Sequence, residues 1–236
     1  MADRLAETGC AQVAEYRVDV QKYLNYTCFD RHNPPDTLHE KALEYFLSEE
    51  VLQFHPQDCF IDIASLTSPF PDHVRSTYRC TVLRQDLYHY PPGINGDRIG
   101  GDACNLPLPP ACCTKLSLHC SYEHFEGDSD TRFILEAARV MKPGGRMFIG
   151  PLYLGPAYTI EYEDGVSVGA CKKPHAEGCR FARTYDIPRL VERVLKPARE
   201  CFTSVVYRLC NLDELTASMP PVARLYCNFF IVLTRK

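Results

Sequence analysis

Three short apolar segments of this chain each run into an aspartate. They are Cys59-Phe60-Ile61-Asp62-Ile63-Ala64, Cys80-Thr81-Val82-Leu83 leading to Asp86, and Arg98-Ile99-Gly100-Gly101-Asp102. Runs this short and apolar fit strands buried on both faces of a parallel sheet. Parallel strands need a crossover between them, usually a helix. In open sheets of this kind, ligands bind beyond the carboxyl ends of the strands, where the strand order reverses. Carboxylates placed there can accept hydrogen bonds from ribose hydroxyls, an adenine amino group or an ammonium. The pattern therefore predicts an α/β fold and also the end of the sheet at which function sits.

The rest of the chain continues this alternation. Residues 1 to about 35 are weakly patterned and end in the breaker Arg31-His32-Asn33-Pro34-Pro35. Asp36 is placed to cap a helix with Leu38, Ala42, Leu43, Phe46 and Leu47 on one face. Residues 1–57 read as an N-terminal helical addition, and residues 58–236 as one α/β domain. Lys115 to Cys120 reads as a fourth strand. A helix follows, capped by Asp128 or Ser129, with an apolar stripe of Phe133, Ile134, Ala137, Ala138 and Met141. Lys142-Pro143-Gly144-Gly145 is expected to stop it, and Met147-Phe148-Ile149 to begin a fifth strand. Residues 155 to 180 read as irregular, and Asp186 as the cap of a helix carrying Ile187, Leu190, Val191, Val194 and Leu195. Phe202 to Leu209 and Leu225 to Leu233 close the chain as strands that can pair antiparallel at one edge. The expected architecture is a Rossmann-like three-layer α/β sandwich, its sheet mostly parallel with an antiparallel edge strand.

Composition narrows the function. A net charge of -4, with both signs interspersed along the 236 residues, supplies no basic field for a phosphate backbone, so nucleic acid is not an expected partner. No run of about 18 apolar residues is present to span a membrane, and Met-Ala-Asp-Arg at the start lacks the apolar core of a signal peptide. The 13 cysteines are odd in number, and a chain this long buries its own core. They read as reduced thiols of a cytoplasmic protein. Cys171, His175 and Cys179 could supply three zinc ligands, but their spacing matches no common zinc module and no fourth ligand is evident, so no metal is expected.

Three motifs make the chain resemble a known family. Gly101-Asp102-Ala103-Cys104-Asn105-Leu106-Pro107-Leu108-Pro109 is similar to the "GDA..LP.P" stretch of the class I S-adenosylmethionine (SAM)-dependent methyltransferases. Tyr122-Glu123-His124-Phe125 resembles their "EHF" segment, and Glu136 to Arg146 their "EA.RVLKPGG" helix and turn. Order and spacing agree over about residues 58 to 154. The resemblance implies SAM as cofactor, with Asp86 on the ribose hydroxyls and Asp102 with Ala103 on the adenine. It puts Asp62 near the methionine ammonium, Ala64 and Ser65 in the loop beneath the cofactor, and Cys120 and Ser121 along it.

His124 is the expected base for an acceptor hydroxyl, with Glu123 orienting it or touching the substrate. His119 reads as a core histidine, while Tyr88, Tyr90, Tyr153 and Tyr158 follow strand ends and could line an acceptor pocket. The family's glycine-rich turn is missing: Ala64, Leu66 and Ser68, then Pro69, stand at the glycine positions. Thr114 also replaces an acid. Two functions follow as expectations: a SAM-dependent methyltransferase acting on a small molecule, lipid or glycan, or a non-catalytic binding or assembly protein on that scaffold. A nicotinamide-dependent oxidoreductase ranks below both, since its own glycine fingerprint is absent too.

Overall fold

A computed structural model describes residues 1–29, 33–164 and 179–236. Helices α1 (Ala2–Ala6), α2 (Val20–Leu24) and α3 (Leu38–Leu52) lie in the N-terminal segment, which also supplies strand β1 (Gln12–Tyr16). The core then alternates through β2 (Cys59–Ile63), α4 (Phe70–Tyr78), β3 (Thr81–Asp86), β4 (Gly93–Asn95), β5 (Arg98–Gly100) and β6 (Cys113–His119). A 3-10 turn (Tyr122–His124), α5 (Ser129–Val140) and β7 (Met141–Gly150) follow. The tail holds β8 (Thr159–Asp164), β9 (Cys179–Thr184), helical pieces α6 (Ile187–Leu190), Val191–Leu195 and α7 (Lys196–Ala198), then β10 (Phe202–Leu209), α8 (Leu212–Ala217) and β11 (Phe229–Arg235).

The main sheet has the order β1-β10-β11-β7-β6-β2-β3-β5-β4. Its middle, β5-β3-β2-β6-β7, is parallel and doubly wound, and the order reverses between β2 and β6. β4 forms an antiparallel edge against β5, and β11 runs antiparallel between β7 and β10. The closing strands thus pair antiparallel as expected, but inside the sheet. The outer edge belongs to β1, which pairs in parallel with β10.

Alternation along the strands builds two cores. Ile61, Ile63, Met147, Ile149, Ile231 and Leu233 face the side of α5, α6 and α7. Phe60, Phe148, Phe230 and Val232 face the side of α3, α4 and α8. Period-two alternation sends successive side chains to opposite faces, which is why the central stretches Phe60-Ile61, Met147-Phe148-Ile149 and Phe230 to Leu233 are apolar throughout.

Some local expectations differ from the structure for identifiable reasons. Asp36 does not cap α3; Thr37 takes that position with no side-chain bond to the helix, its hydroxyl donating instead to the Pro34 carbonyl at 3.3 Å. Lys142-Pro143-Gly144-Gly145 ends α5 without leaving the sheet. Met141 pairs with Cys113, and the register slips before Arg146 pairs with Lys115, so the segment is a bulge within β7. The stretch taken as irregular contains the β8–β9 hairpin, a separate two-stranded sheet. No helix among the described residues is long and apolar enough to cross a membrane.

Candidate functional site

A cavity of about 470 Å³ opens where the strand order reverses. The end of β2 and its loop line it with Asp62, Ala64, Ser65 and Leu66, and the end of β6 with His119 and Cys120. Three of these residues hold left-handed backbone without being glycine: Ala64 at φ 53°, Leu66 at φ 46° and Cys120 at φ 48°. Such backbone costs a side-chain-bearing residue about 1–2 kcal/mol and persists only where surrounding bonds impose it. Here those bonds are visible. Ala64 N–H donates to Gln85 Oε1 at 3.2 Å, Ser65 N–H to the Gln85 carbonyl at 2.8 Å, and Leu66 N–H to Asp86 Oδ2 at 3.0 Å. Tyr90 completes the clamp by donating its hydroxyl to the Leu66 carbonyl at 2.8 Å. The loop without glycines therefore keeps a glycine-like path, held from the end of β3.

Asp86, buried, also accepts from Tyr88 N–H at 2.9 Å and His89 N–H at 3.0 Å on Oδ1. Asp102 accepts from Cys104 N–H at 2.8 Å and lies 3.3 Å from Arg132, with about half of its side chain exposed. Ala103 is buried in the core beside it. Neither Asp86, Asp102 nor Ala103 lines the cavity; they lie at the ends of β3 and β5, along the same edge of the sheet.

Asp62 is buried at the end of β2, where its Oδ1 accepts from Ser117 Oγ at 2.7 Å and faces His119 Nδ1 at 3.2 Å. Burial holds the His119 imidazole below its usual pKa, so it is neutral at pH 7. Nδ1–H then donates to Asp62. Nε2 is left as a buried acceptor with no partner.

A second group gathers around Cys120. Its Sγ lies 3.1 Å from Glu123 Oε1 and 3.4 Å from the Tyr153 hydroxyl. Burial, followed by the nearby Glu123 carboxylate, pushes this thiol up, so it stays protonated and is no nucleophile. Glu123 is buried and its Oε2 has no partner. His124 Nδ1 lies 2.6 Å from the Phe181 carbonyl of β9, and its Nε2 lies 3.5 Å from Glu123 Oε1. A carbonyl only accepts, so Nδ1 carries a proton and Nε2 is free to take one. Ser121 Oγ is buried, unpartnered and outside the cavity lining.

Residues with no sequence signal complete the lining. Lys41 Nζ, from α3, lies 2.8 Å from Glu44 and donates to the His119 carbonyl at 3.1 Å. Tyr45 hydrogen-bonds Ser68 and packs edge-on against His119. Tyr226 stacks on Tyr153 with centroids 6.2 Å apart. Arg183 of β9 is locked in a buried ion pair with Asp130. The one available hint was the placement of Glu40, Lys41, Glu44 and Ser48 among the apolar residues Ala42, Leu43, Tyr45, Phe46 and Leu47 of one helix. Among the tyrosines expected at an acceptor pocket, Tyr153 lines the cavity. Tyr88 is exposed, Tyr90 clamps the Leu66 loop, and Tyr158 packs on Tyr185. Thr114, at the place of an acid, bonds Asp58 at 2.7 Å.

Among the described residues, no group of three or more His, Cys, Asp or Glu is arranged to hold a metal ion. Cys171 and His175, and the side chain of Cys179, lie outside the described residues.

Residues 77–149 match the family model described as a methyltransferase domain. No curated protein sequence matches the chain. Among solved structures, the chain is similar to one from the Haloferax volcanii complex of the Trm112 methyltransferase activator with a methyltransferase. That match has 13% identity and a TM-score of 0.55, over 84% of this chain and 90% of the other. A SAM-dependent methyltransferase from Mesorhizobium loti matches at 15% identity and a TM-score of 0.52, over 76% of this chain and 91% of its own. The fold is that of the class I SAM-dependent methyltransferases. On a methyltransferase fold, the cavity described above sits at the carboxyl end of the sheet, at the switch point where such folds take their ligands.

Proposed function

We propose that the protein binds SAM and transfers its methyl group to a small-molecule, lipid or glycan-type acceptor held in the same cavity. The observation that carries this reading is the loop from Ala64 to Leu66. It keeps left-handed backbone at two positions where the methyltransferase motif has glycine, held there by hydrogen bonds to Gln85 and Asp86. The residues present also fit the cofactor. Asp62 and Ser65 border the part of the cavity suited to an amino-acid end, where the orphaned His119 Nε2 awaits a donor. Asp86 uses three of about four lone-pair sites on backbone N–H groups, which leaves one for a ribose hydroxyl. Asp102 and Ala103 stand next along the edge for the adenine, and Cys120 borders the cavity end of β6 with Ser121 beside it.

Bound SAM would supply a methyl group on a sulfonium, and in-line transfer then depends on alignment, exclusion of water and removal of a proton. His124 is placed for the last task. It lines the cavity, and the Phe181 carbonyl holds Nδ1 and leaves Nε2 to act. Glu123 stands beside it and balances the charge that His124 gains. The cytoplasmic setting expected from the thiol-rich composition belongs to this reading.

One observation favours a second reading, a non-catalytic protein on the same scaffold: the Asp86 carboxylate is already largely engaged by backbone. Calorimetric titration with SAM and S-adenosylhomocysteine separates the two. Saturable binding supports the enzyme. No heat at millimolar ligand would end that reading and leave the second.

A further inference from the structure

Resting on the methyltransferase reading, we infer that the acceptor is an amine, recognised by Glu123 and His124 beside the stacked rings of Tyr153 and Tyr226. The cavity's two strong cations each already have a carboxylate partner: Lys41 lies 2.8 Å from Glu44, and Arg183 pairs with the fully buried Asp130, which also takes Arg193. Around Cys120, Glu123 and Tyr153 what remains unsatisfied is acceptors, while the unpartnered donors of the lining, Arg183 Nε and Asn33 Nδ2, belong to β9 and to the segment before α3. Glu123 Oε2 is buried without a partner, and His124 Nε2 offers a lone pair because Nδ1–H is bound to the Phe181 carbonyl. A buried acceptor left without a donor costs about 1–3 kcal/mol, more for a charged group, so the fitting ligand brings N–H bonds and positive charge.

The walls agree with this demand. Tyr153 and Tyr226 stack 6.2 Å apart beside Glu123, and Tyr45 adds a third ring to the cavity. Aromatic faces attract a desolvated cation, and a neighbouring carboxylate reinforces them. A lone hydroxyl can satisfy only one of these acceptors.

The chemistry is balanced with SAM as methyl donor. The amine binds and gives one proton to His124 Nε2, which frees its lone pair. That pair forms the new N–C bond as the methyl C–S bond breaks, with its electrons going to sulfur. His124 releases the proton to solvent when the product leaves, and Glu123 holds the remaining N–H bonds in place.

Phenylethylamine and its hydroxyl isostere 2-phenylethanol test this by calorimetry, on the protein alone and saturated with S-adenosylhomocysteine. The amine is expected to bind at least about tenfold more tightly than the alcohol. Glu123→Gln is expected to remove that preference while S-adenosylhomocysteine affinity stays within about twofold. Tyr153→Leu should weaken the amine and Tyr153→Phe should not, a contrast that a folding defect would not produce. Equal binding of amine and alcohol, or an amine preference intact in Glu123→Gln, overturns the inference and leaves the methyltransferase reading standing. Failure of S-adenosylhomocysteine to bind removes that reading instead, and the amine preference is still measured in the unliganded cavity.

Discussion

His124 Nδ1 lies 2.6 Å from the main-chain carbonyl of Phe181, so a strand of the β8–β9 hairpin decides which nitrogen of the imidazole is free. The hairpin is held in turn by Asp130, at the start of α5. Asp130 accepts from the Tyr185 hydroxyl at 2.6 Å, pairs with Arg193 at 2.6 Å and forms a close ion pair with Arg183. The proposed base is thus set by backbone from another element. His124→Gln is expected to lower the transfer rate by about 10²–10⁴-fold and to leave S-adenosylhomocysteine binding near its original value. Single-turnover kinetics beside a titration would separate the two effects, and full activity in the variant removes His124 from the mechanism.

Asp130→Ala is expected to cost about 3–5 kcal/mol, because Arg183 would be left buried and unpaired. Denaturant unfolding measures this. Burial raises the Asp130 pKa, but the Arg193 and Tyr185 hydrogen bonds and the Arg183 charge outweigh it and hold the carboxyl below the usual range. A depressed carboxylate pKa means that the contribution is full above the unfolded value, near 4, and is lost as pH falls below it. The unfolding midpoint of the wild type should drop over that window more steeply than that of the variant.

Asp86→Ala strands the N–H groups of Leu66, Tyr88 and His89 at once. A loss on the order of 2–4 kcal/mol is expected, together with strong weakening of SAM binding. Asp86→Ala with unchanged cofactor affinity would show that the ribose is held elsewhere.

Leu66→Gly tests the strain directly. Leu66 has φ 46° and is 46% exposed, so little packing is lost. Relief of the left-handed penalty, less the added chain entropy of glycine, should raise stability by up to about 1 kcal/mol. Chemical unfolding reads this out; a destabilised variant would mean that the Leu66 side chain anchors the loop.

Glu40 supplies the opposite pH dependence. Burial raises its pKa to about 7, against the hydrogen bond it accepts from Tyr226 N–H at 2.8 Å. With the folded value above the unfolded one, its contribution is full below about 4.5 and is lost as pH rises through about 7. Glu40→Gln should flatten the fall in stability between pH 5 and pH 8, and an unchanged slope would place that titration elsewhere.

The sequence determined the fold by local means. Apolar runs ending at Asp62, Asp86 and Asp102 marked β2, β3 and β5, and the stripe on α5 marked the helix that covers them. Those signals are legible because period and composition act within a few residues. Glu123 and His124 were legible for the same reason, as neighbours of one strand end. Only the tertiary structure decided what they meet. Lys41, Tyr45, Arg183 and Tyr226 reach the cavity from α3, β9 and the chain's last loop, and no spacing joins residues that far apart. It also resolved the missing glycines. A glycine-free loop after β2 reads as a broken motif, yet Gln85, Asp86 and Tyr90 impose the left-handed turns that glycine would have adopted unaided. Backbone conformation is set by its hydrogen-bond partners as well as by its own side chains, and those partners stand on β3 and in the loop that follows it.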